Sequence, residues 1–305
     1  MKKREWRISQ VSEGIRRKPE WLRVKLPGQG EYADVDKILK DLNLHTVCRS
    51  AQCPNIADCW GRRTATIMIL GDVCTRHCRF CAVTTGNPKG YVDKTEPERV
   101  AEAVKRMKLR YVVLTSVDRD DLDDGGAEYF ARTIRRINEE NANVLVEPLI
   151  PDFFGERKNL AKIVSAKPDV IAHNLETVER LTPSVRDRRM SYSGSLDVLR
   201  ILKELDTPGL TKSGIMVGLG ETDDEVYETM ADMRAYAVDI LTIGQYLQPT
   251  RKHLEVDRFV TPQQFSAYKE RANEMGFLAA VCAPLVRSSY HAAEVTALIR
   301  RKARI

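Results

Sequence analysis

The chain has 305 residues, enough for one large α/β barrel or two ordinary domains, and its 43% hydrophobic content can supply a core, which excludes a disordered chain. No apolar run approaches the ~20 residues that span a bilayer. The charged start Met1-Lys2-Lys3-Arg4 leads into no apolar segment, so a cytoplasmic protein is expected. The net charge of +6, from 49 basic and 43 acidic side chains, is too diffuse for nucleic-acid binding but suits steering of an acidic protein partner.

In chain order, residues 1–63 hold few periodic apolar positions and much Arg, Lys, Trp and Pro. They read as an N-terminal extension laid on something else. From Thr64 the pattern alternates. Short apolar runs at Thr64–Leu70, Tyr111–Ser116, Asn143–Leu149, Asp169–His173, Gly214–Gly218 and Asp239–Gly244 read as strands. Between them lie helical stripes: Val100, Val104 and Met107, then Phe130, Ile134 and Ile137. Thr222-x-x-Glu225 is a capping box opening a helix whose stripe is Val226, Met230, Met233 and Ala237. Thr261-Pro262 opens another, with Phe265, Tyr268, Ala272 and Met275 on one face and Gly276 as its stop. Strand and helix repeated six times imply parallel strands with right-handed crossovers. The fold expected is α/β, an open partial (β/α)6 barrel over 64–260, with a C-terminal helix and extension at 261–305. Chemistry in such folds sits at the C-terminal ends of the strands.

Six of the seven cysteines fall between Cys48 and Cys81, in two triads. Cys74-x3-Cys78-x2-Cys81 follows the first strand of the alternating region. Cys48-x4-Cys53-x5-Cys59 lies in the extension. Three thiolates on a short loop can each hold one iron of a cubic cluster, leaving the fourth iron open to bind a small molecule. A Cys3His zinc site using His77 is the alternative, although neither triad supplies the paired C-x2-C units usual for zinc. A disulfide framework fits poorly with an odd, clustered set of thiols. Cys282, in Ala279-Ala280-Val281-Cys282-Ala283, reads as a buried structural thiol.

C-x3-C-x2-C after the first strand of a six-unit barrel resembles the radical S-adenosylmethionine superfamily. Phe80, between the last two cysteines, fits the aromatic often found there. Within the superfamily the chain is similar to the lipoyl synthase family. That likeness rests on the Cys48/Cys53/Cys59 triad, Arg287-Ser288-Ser289-Tyr290, Arg17-Lys18-Pro19-Glu20-Trp21-Leu22, Gly86-Asn87-Pro88, Thr115 through Asp121 and Gly244-Gln245-Tyr246-Leu247-Gln248-Pro249. It covers the chain from about residue 16 to residue 292. A biotin-synthase-like enzyme would need a different auxiliary ligand set. A two-cluster electron carrier would need more cysteines.

The resemblance implies a sulfurtransferase that inserts two sulfur atoms at C6 and C8 of a protein-bound octanoyl-lysine. Its implied cofactors are S-adenosylmethionine and two 4Fe–4S clusters. Cys74, Cys78 and Cys81 would hold the cluster that cleaves S-adenosylmethionine to a 5′-deoxyadenosyl radical. Cys48, Cys53 and Cys59 would hold an auxiliary cluster consumed as the sulfur source. Ser289 would be the weak fourth ligand there, with Ser288 second in line, since a serine oxygen holds iron less tightly than thiolate. Read without the family, Ser289 is a helix-capping serine. Phe80, Asn87, Thr115, Ser116, Asp118, Asn174, Glu176 and Arg188 are the expected S-adenosylmethionine contacts. Arg186 competes with Arg188 for a carboxylate. His173 ends a strand and reads by default as a hydrogen-bonded core histidine. The implied partners are octanoylated lipoyl carrier domains (2-oxoacid dehydrogenase E2 subunits or the glycine-cleavage H protein), an electron donor such as ferredoxin or flavodoxin, and an iron–sulfur carrier for cluster repair. A monomer is expected.

Overall fold

The computed structural model describes residues 18–23, 29–51, 53–61 and 65–287, and in it the six apolar runs lie side by side in one sheet. The strands are β1 (His45–Thr46), β2 (Thr66–Ile69), a small pair β3 (Val73–Cys74) and β4 (Thr84–Thr85), then β5 (Tyr111–Ser116), β6 (Leu145–Leu149), β7 (Val170–Ala172), β8 (Leu210–Val217), β9 (Ile240–Gln245) and β10 (Ala279–Cys282). The main sheet runs β1-β2-β5-β6-β7-β8-β9-β10, so it is wound in chain order. β1 pairs antiparallel with β2, and every later pair is parallel. Helices fill the parallel crossovers. The two edge strands do not pair with each other among the described residues, so the sheet is an open, partial barrel.

The helices follow their sequence signals. Thr222 Oγ1 accepts from the Glu225 N–H at 3.2 Å, and the Glu225 carboxylate accepts from the Thr222 N–H at 2.8 Å, so the capping box opens the helix Asp223–Ala235. Val226, Met230 and Met233 on its stripe are fully buried. Thr261 caps Pro262–Glu274, and Gly276, in the left-handed region at φ 81°, turns the chain back toward the sheet.

Two strands of the main sheet, and the small pair β3 and β4, were not anticipated. β10 continues the sheet beyond β9, with Ala279 opposite Ile240 and Cys282 opposite Ile243. Its Ala-Ala-Val-Cys sequence has weak strand propensity, and pairing with β9 recruits it. Cys282 is buried there, and burial pushes its thiol up to about 12. β1 ties the N-terminal extension to β2. Beside it the helix Gln29–Asp41 buries Val35 and Leu39 against Trp60, whose ring stacks on Tyr32 at 5.0 Å. The extension therefore shares the main core rather than lying loosely on it. Near the N-terminal ends of the strands a buried ion pair, Lys212 Nζ to Glu147 Oε1 at 2.7 Å, crosses between β8 and β6, with the Tyr111 hydroxyl also donating to Glu147. Removing either charge would leave the other stranded in the core.

Candidate functional site

The second triad sits at the C-terminal end of β2. Leu70 (φ 67°) and Gly71 (φ 88°) turn the chain sharply, and Cys74 enters β3. β3 pairs in parallel with β4, and the Gly86 N–H bonds the Cys74 carbonyl at 2.9 Å, so the intervening loop is closed at its base. Its floor comes from the end of β5: the Thr75 N–H donates to the Asp118 carbonyl at 3.0 Å. The Arg76 guanidinium, buried beneath the loop, ion-pairs with Asp120 and Asp152 at 2.8 Å each and with Asp118 at 3.5 Å. Burial works against that charge, but Asp152 and Asp120 hold it well above the usual arginine range. The Asp187 carboxylate accepts from the His77 N–H at 2.8 Å and pairs with Arg189 at 2.7 Å.

Backbone amides also address the sulfurs. The Arg76 N–H points to Cys74 Sγ at 3.4 Å and the Asp187 N–H to Cys78 Sγ at 3.3 Å. Such bonds favour a thiolate and tune a metal held by it. Burial pushes these thiols up, to about 12 for Cys74 and Cys78 and about 11 for Cys81, so any metal taken up there would have to displace their protons. His77, which a Cys3His zinc site would require, is exposed and meets Thr85 Oγ1 at 3.1 Å.

The first triad is built from short helical turns. Thr46 Oγ1 caps Val47–Ser50, placing Cys48 in the core, and the Cys53 N–H returns to the Cys48 carbonyl at 3.0 Å. Cys59 lies in the helix Ile56–Gly61. Asn55 Nδ2 reaches the Leu285 carbonyl at 2.5 Å, joining this region to the segment after β10. That segment crosses β9 at Gly244, where a Cβ would stand 2.4 Å from the Val286 carbonyl oxygen. Ser288 and Ser289 lie outside the described residues.

Cys48 and Cys53 of the first triad and all three cysteines of the second line one cavity of about 460 Å3; Cys59 does not line it. Of the contacts expected from sequence, Phe80, Thr115, Ser116, Asp118, Asn174 and Glu176 line it. Glu176 is held in the left-handed region at φ 68° by backbone bonds to β8, a strained conformation that aims its carboxyl inward, where Asn174 Nδ2 donates to it at 3.1 Å. Burial raises the Glu176 carboxyl, with Arg186 opposing. Asn87 and Arg188 are exposed and do not line the cavity; Asn87 Oδ1 accepts from the Lys89 N–H instead. Arg186, two residues before Arg188, does line it. The expectation named Arg188; the alternation of inward and outward side chains in an irregular segment carries no sequence signal, and the fold places Arg186 on the cavity instead. Lys18 and Arg287 also line the cavity.

His173 lines the cavity yet is fully used. Its Nδ1–H donates to the Ile150 carbonyl at 3.0 Å. Its Nε2 accepts from the Ser195 hydroxyl at 3.1 Å, and that hydroxyl accepts from Arg186 Nη1 at 2.8 Å. Burial holds this imidazole neutral, pulling it down to about 4, with Arg186 adding to the effect.

The donor chemistry fits iron–sulfur clusters and a small polar ligand. Among the described residues no three His, Cys, Asp or Glu side chains gather closely enough to bind a single ion, whereas cluster thiolates each take a separate iron. Ser116 Oγ and Arg186 Nε are buried on the cavity with no hydrogen-bond partner, one able to donate or accept and one a cationic donor. A ligand bearing a carboxylate would satisfy them.

Two family models match the chain. One, described as the Radical SAM superfamily, covers residues 68–233; the other, described as the N-terminal domain of lipoyl synthase of the Radical_SAM family, covers residues 3–53. A lipoyl synthase of Francisella philomiragia subsp. philomiragia is 55% identical over 294 residues, spanning 93% of this chain and 90% of that protein. One of Thermus thermophilus is 55% identical over 280 residues, spanning 92% and 87%. Among solved structures, the FeFe-hydrogenase maturase HydG from Carboxydothermus hydrogenoformans aligns with a TM-score of 0.53 at 12% identity, over 89% of this chain and 78% of that one. Streptococcus suis SuiB bound to S-adenosylmethionine aligns at 0.54 and 9% identity, over 75% and 53%. These two likenesses concern the fold alone.

Proposed function

This chain belongs to the lipoyl synthase family of the radical S-adenosylmethionine superfamily, and we propose that its two cysteine triads divide the family's chemistry across the shared cavity. The reaction is the radical-mediated insertion of two sulfur atoms at C6 and C8 of an octanoyl chain carried on a lysine of a lipoyl carrier domain. The cofactors are S-adenosylmethionine and two 4Fe–4S clusters. Cys74, Cys78 and Cys81 hold one cluster; Cys48, Cys53 and Cys59, with Ser289 as fourth ligand, hold the other. The single observation that carries this division is that ligands of both triads line one cavity of about 460 Å3. When bound, the first cluster with S-adenosylmethionine supplies a carbon-centred radical able to break an unactivated C–H bond, and the second supplies sulfur.

The remaining residues bind, orient and exclude water. Arg186 takes the carboxylate of S-adenosylmethionine in place of Arg188, because Arg186 alone of the two faces the cavity and keeps a free Nε–H there. Ser116 and Asp118 meet its polar end, and Asn174 and Glu176 suit its ribose hydroxyls. Met68, Leu149, Ile150 and Ile215 line the same space and accept the octanoyl chain, keeping water from a reactive radical. One chain supplies both triads, which supports action as a monomer. A cytoplasmic setting would suit reduced thiols and oxygen-sensitive clusters; no helix among the described residues is long and apolar enough to cross a membrane. An electron donor of the ferredoxin or flavodoxin kind and an iron–sulfur carrier for repair complete the scheme.

The test is to incubate the anaerobically reconstituted protein with S-adenosylmethionine, a reductant and an octanoylated lipoyl domain, then weigh the domain. A gain of two sulfur atoms is expected. No gain, with 5′-deoxyadenosine still formed, would sink the substrate assignment.

A further inference from the structure

The loop that carries Cys74, Cys78 and Cys81 has two faces. The cysteines and Phe80 line the cavity; His77 and Arg79 are exposed and do not. Two segments flank the outer face. The Arg79 N–H bonds the Val185 carbonyl at 2.9 Å and its side chain bonds the Ser184 carbonyl at 2.9 Å. On the other side the Leu254 N–H bonds the Arg79 carbonyl at 3.3 Å, and His253 Nε2 donates to the Cys81 carbonyl at 3.0 Å. These bonds bring exposed Arg188 from one segment and exposed Arg251 and Lys252 from the other to the rim around Arg79. Exposed arginines elsewhere on this chain are commonly ion-paired, as Arg132, Arg157, Arg180 and Arg200 are. Arg79, Arg188, Arg251 and Lys252 carry no ion pair among the described residues. In these segments Asp187 is spent on Arg189 and the His77 amide, leaving Glu255 and, two residues further on, Asp257 as the exposed acids against the four cations.

We propose that this basic rim is the docking surface for an acidic one-electron carrier protein, which reduces the cluster held by Cys74, Cys78 and Cys81 through the outer face of its loop. The proposal rests on the function above. Only the loop's own thickness separates the rim from the cluster ligands, while substrate chemistry lies on the inner face. In the step one electron leaves the carrier, which is oxidised by one, and enters the cluster, which is reduced by one; no bond or proton moves. A cluster of unpaired cations raises the encounter rate of an acidic partner and makes it depend on ionic strength.

The experiment uses the reconstituted enzyme, an acidic plant-type ferredoxin as probe, and the double variant Arg251→Glu, Lys252→Glu. For the parent, the second-order rate of cluster reduction by the reduced ferredoxin should fall steeply with added salt. In the variant it should drop at least about tenfold at low salt and lose most of that salt dependence. The affinity for oxidised ferredoxin, measured by calorimetry without turnover, should weaken in parallel. Dithionite-driven sulfur insertion should be unchanged, which separates failure of this surface from failure of the proposed reaction. A salt-independent parent rate overturns the proposal. So does a variant reduced as fast as the parent, or one that instead loses affinity for the octanoylated lipoyl domain, which would give the rim to that acidic partner.

Discussion

Arg76 grips Asp152 with both of its terminal nitrogens, Nη1 to Oδ2 and Nη2 to Oδ1, each at 2.8 Å. The pair joins the middle of the Cys74–Cys78 loop to the segment just after β6, two regions separated by 76 residues in the chain. Asp152 is followed by Phe153, Phe154 and Gly155 in succession at positive φ, a left-handed turn that side chains other than glycine resist. Phe153 is buried against Phe130 there. A strained turn is thus retained where it aims a carboxylate at the base of the loop that carries Cys74, Cys78 and Cys81.

Because the Arg76 side chain is only 4% exposed, replacing it by methionine strands three carboxylates around an apolar side chain. Arg76→Met should cost about 3–5 kcal/mol of stability and empty the neighbouring triad of iron. Arg76→Lys should recover part of the stability but not the iron content, since an ammonium cannot make the double forked contact with Asp120 and Asp152. Thermal unfolding and iron per chain measure the two effects separately.

The triads should be separable by cysteine substitution. Cys78→Ala should abolish 5′-deoxyadenosine formation. Cys53→Ala should leave that product in place, remove sulfur insertion, and lower the iron from about eight to about four per chain. Loss of both products in Cys53→Ala would show that the triads do not divide the chemistry. Ser289→Ala should behave as a milder Cys53→Ala, keeping octanoyl-domain binding while losing sulfur insertion.

Gly244→Ala tests the crossing of β9 by the segment after β10. The added methyl would stand 2.4 Å from the Val286 carbonyl and 3.3 Å from Arg287 Nη1, so the segment must lift. The expected cost is about 1–3 kcal/mol. Protease cleavage after residue 282 should quicken, and sulfur insertion should fall more than 5′-deoxyadenosine formation. Equal losses of the two would place the effect on the barrel as a whole.

His173 predicts an acid-sensitive fold. It is neutral in the native protein down to about 4, while in the unfolded chain it takes a proton near 6.5. Its contribution is therefore complete above pH 6.5 and is lost as pH falls toward 4, by roughly 3 kcal/mol in all. His173→Gln should flatten the difference between melting curves at pH 7 and pH 4.5 relative to the parent. An unchanged pH dependence would mean that the buried carboxylates dominate it.

Local signals were legible in the chain. Cysteine spacing, the capping box at Thr222, the stripe Val226-Met230-Met233 and the six apolar runs each depend on residues a few positions apart, and period and spacing survive without knowledge of the partners. Those features by themselves determined the parallel α/β winding and the cysteine-bearing loop after its first strand; the family came from the resemblance of the two triads and of motifs such as Arg287-Ser288-Ser289-Tyr290 to known members. Contacts across the fold were decided only by tertiary structure. Arg76 meets its carboxylates 44 and 76 positions away, Asn55 meets Leu285 across 230, and no local pattern encodes either. β10 became a strand because β9 offered it an open edge, despite its alanines. Arg186 faces the cavity while Arg188 faces solvent because an irregular segment has no fixed period, so side-chain direction there is set by what the backbone packs against.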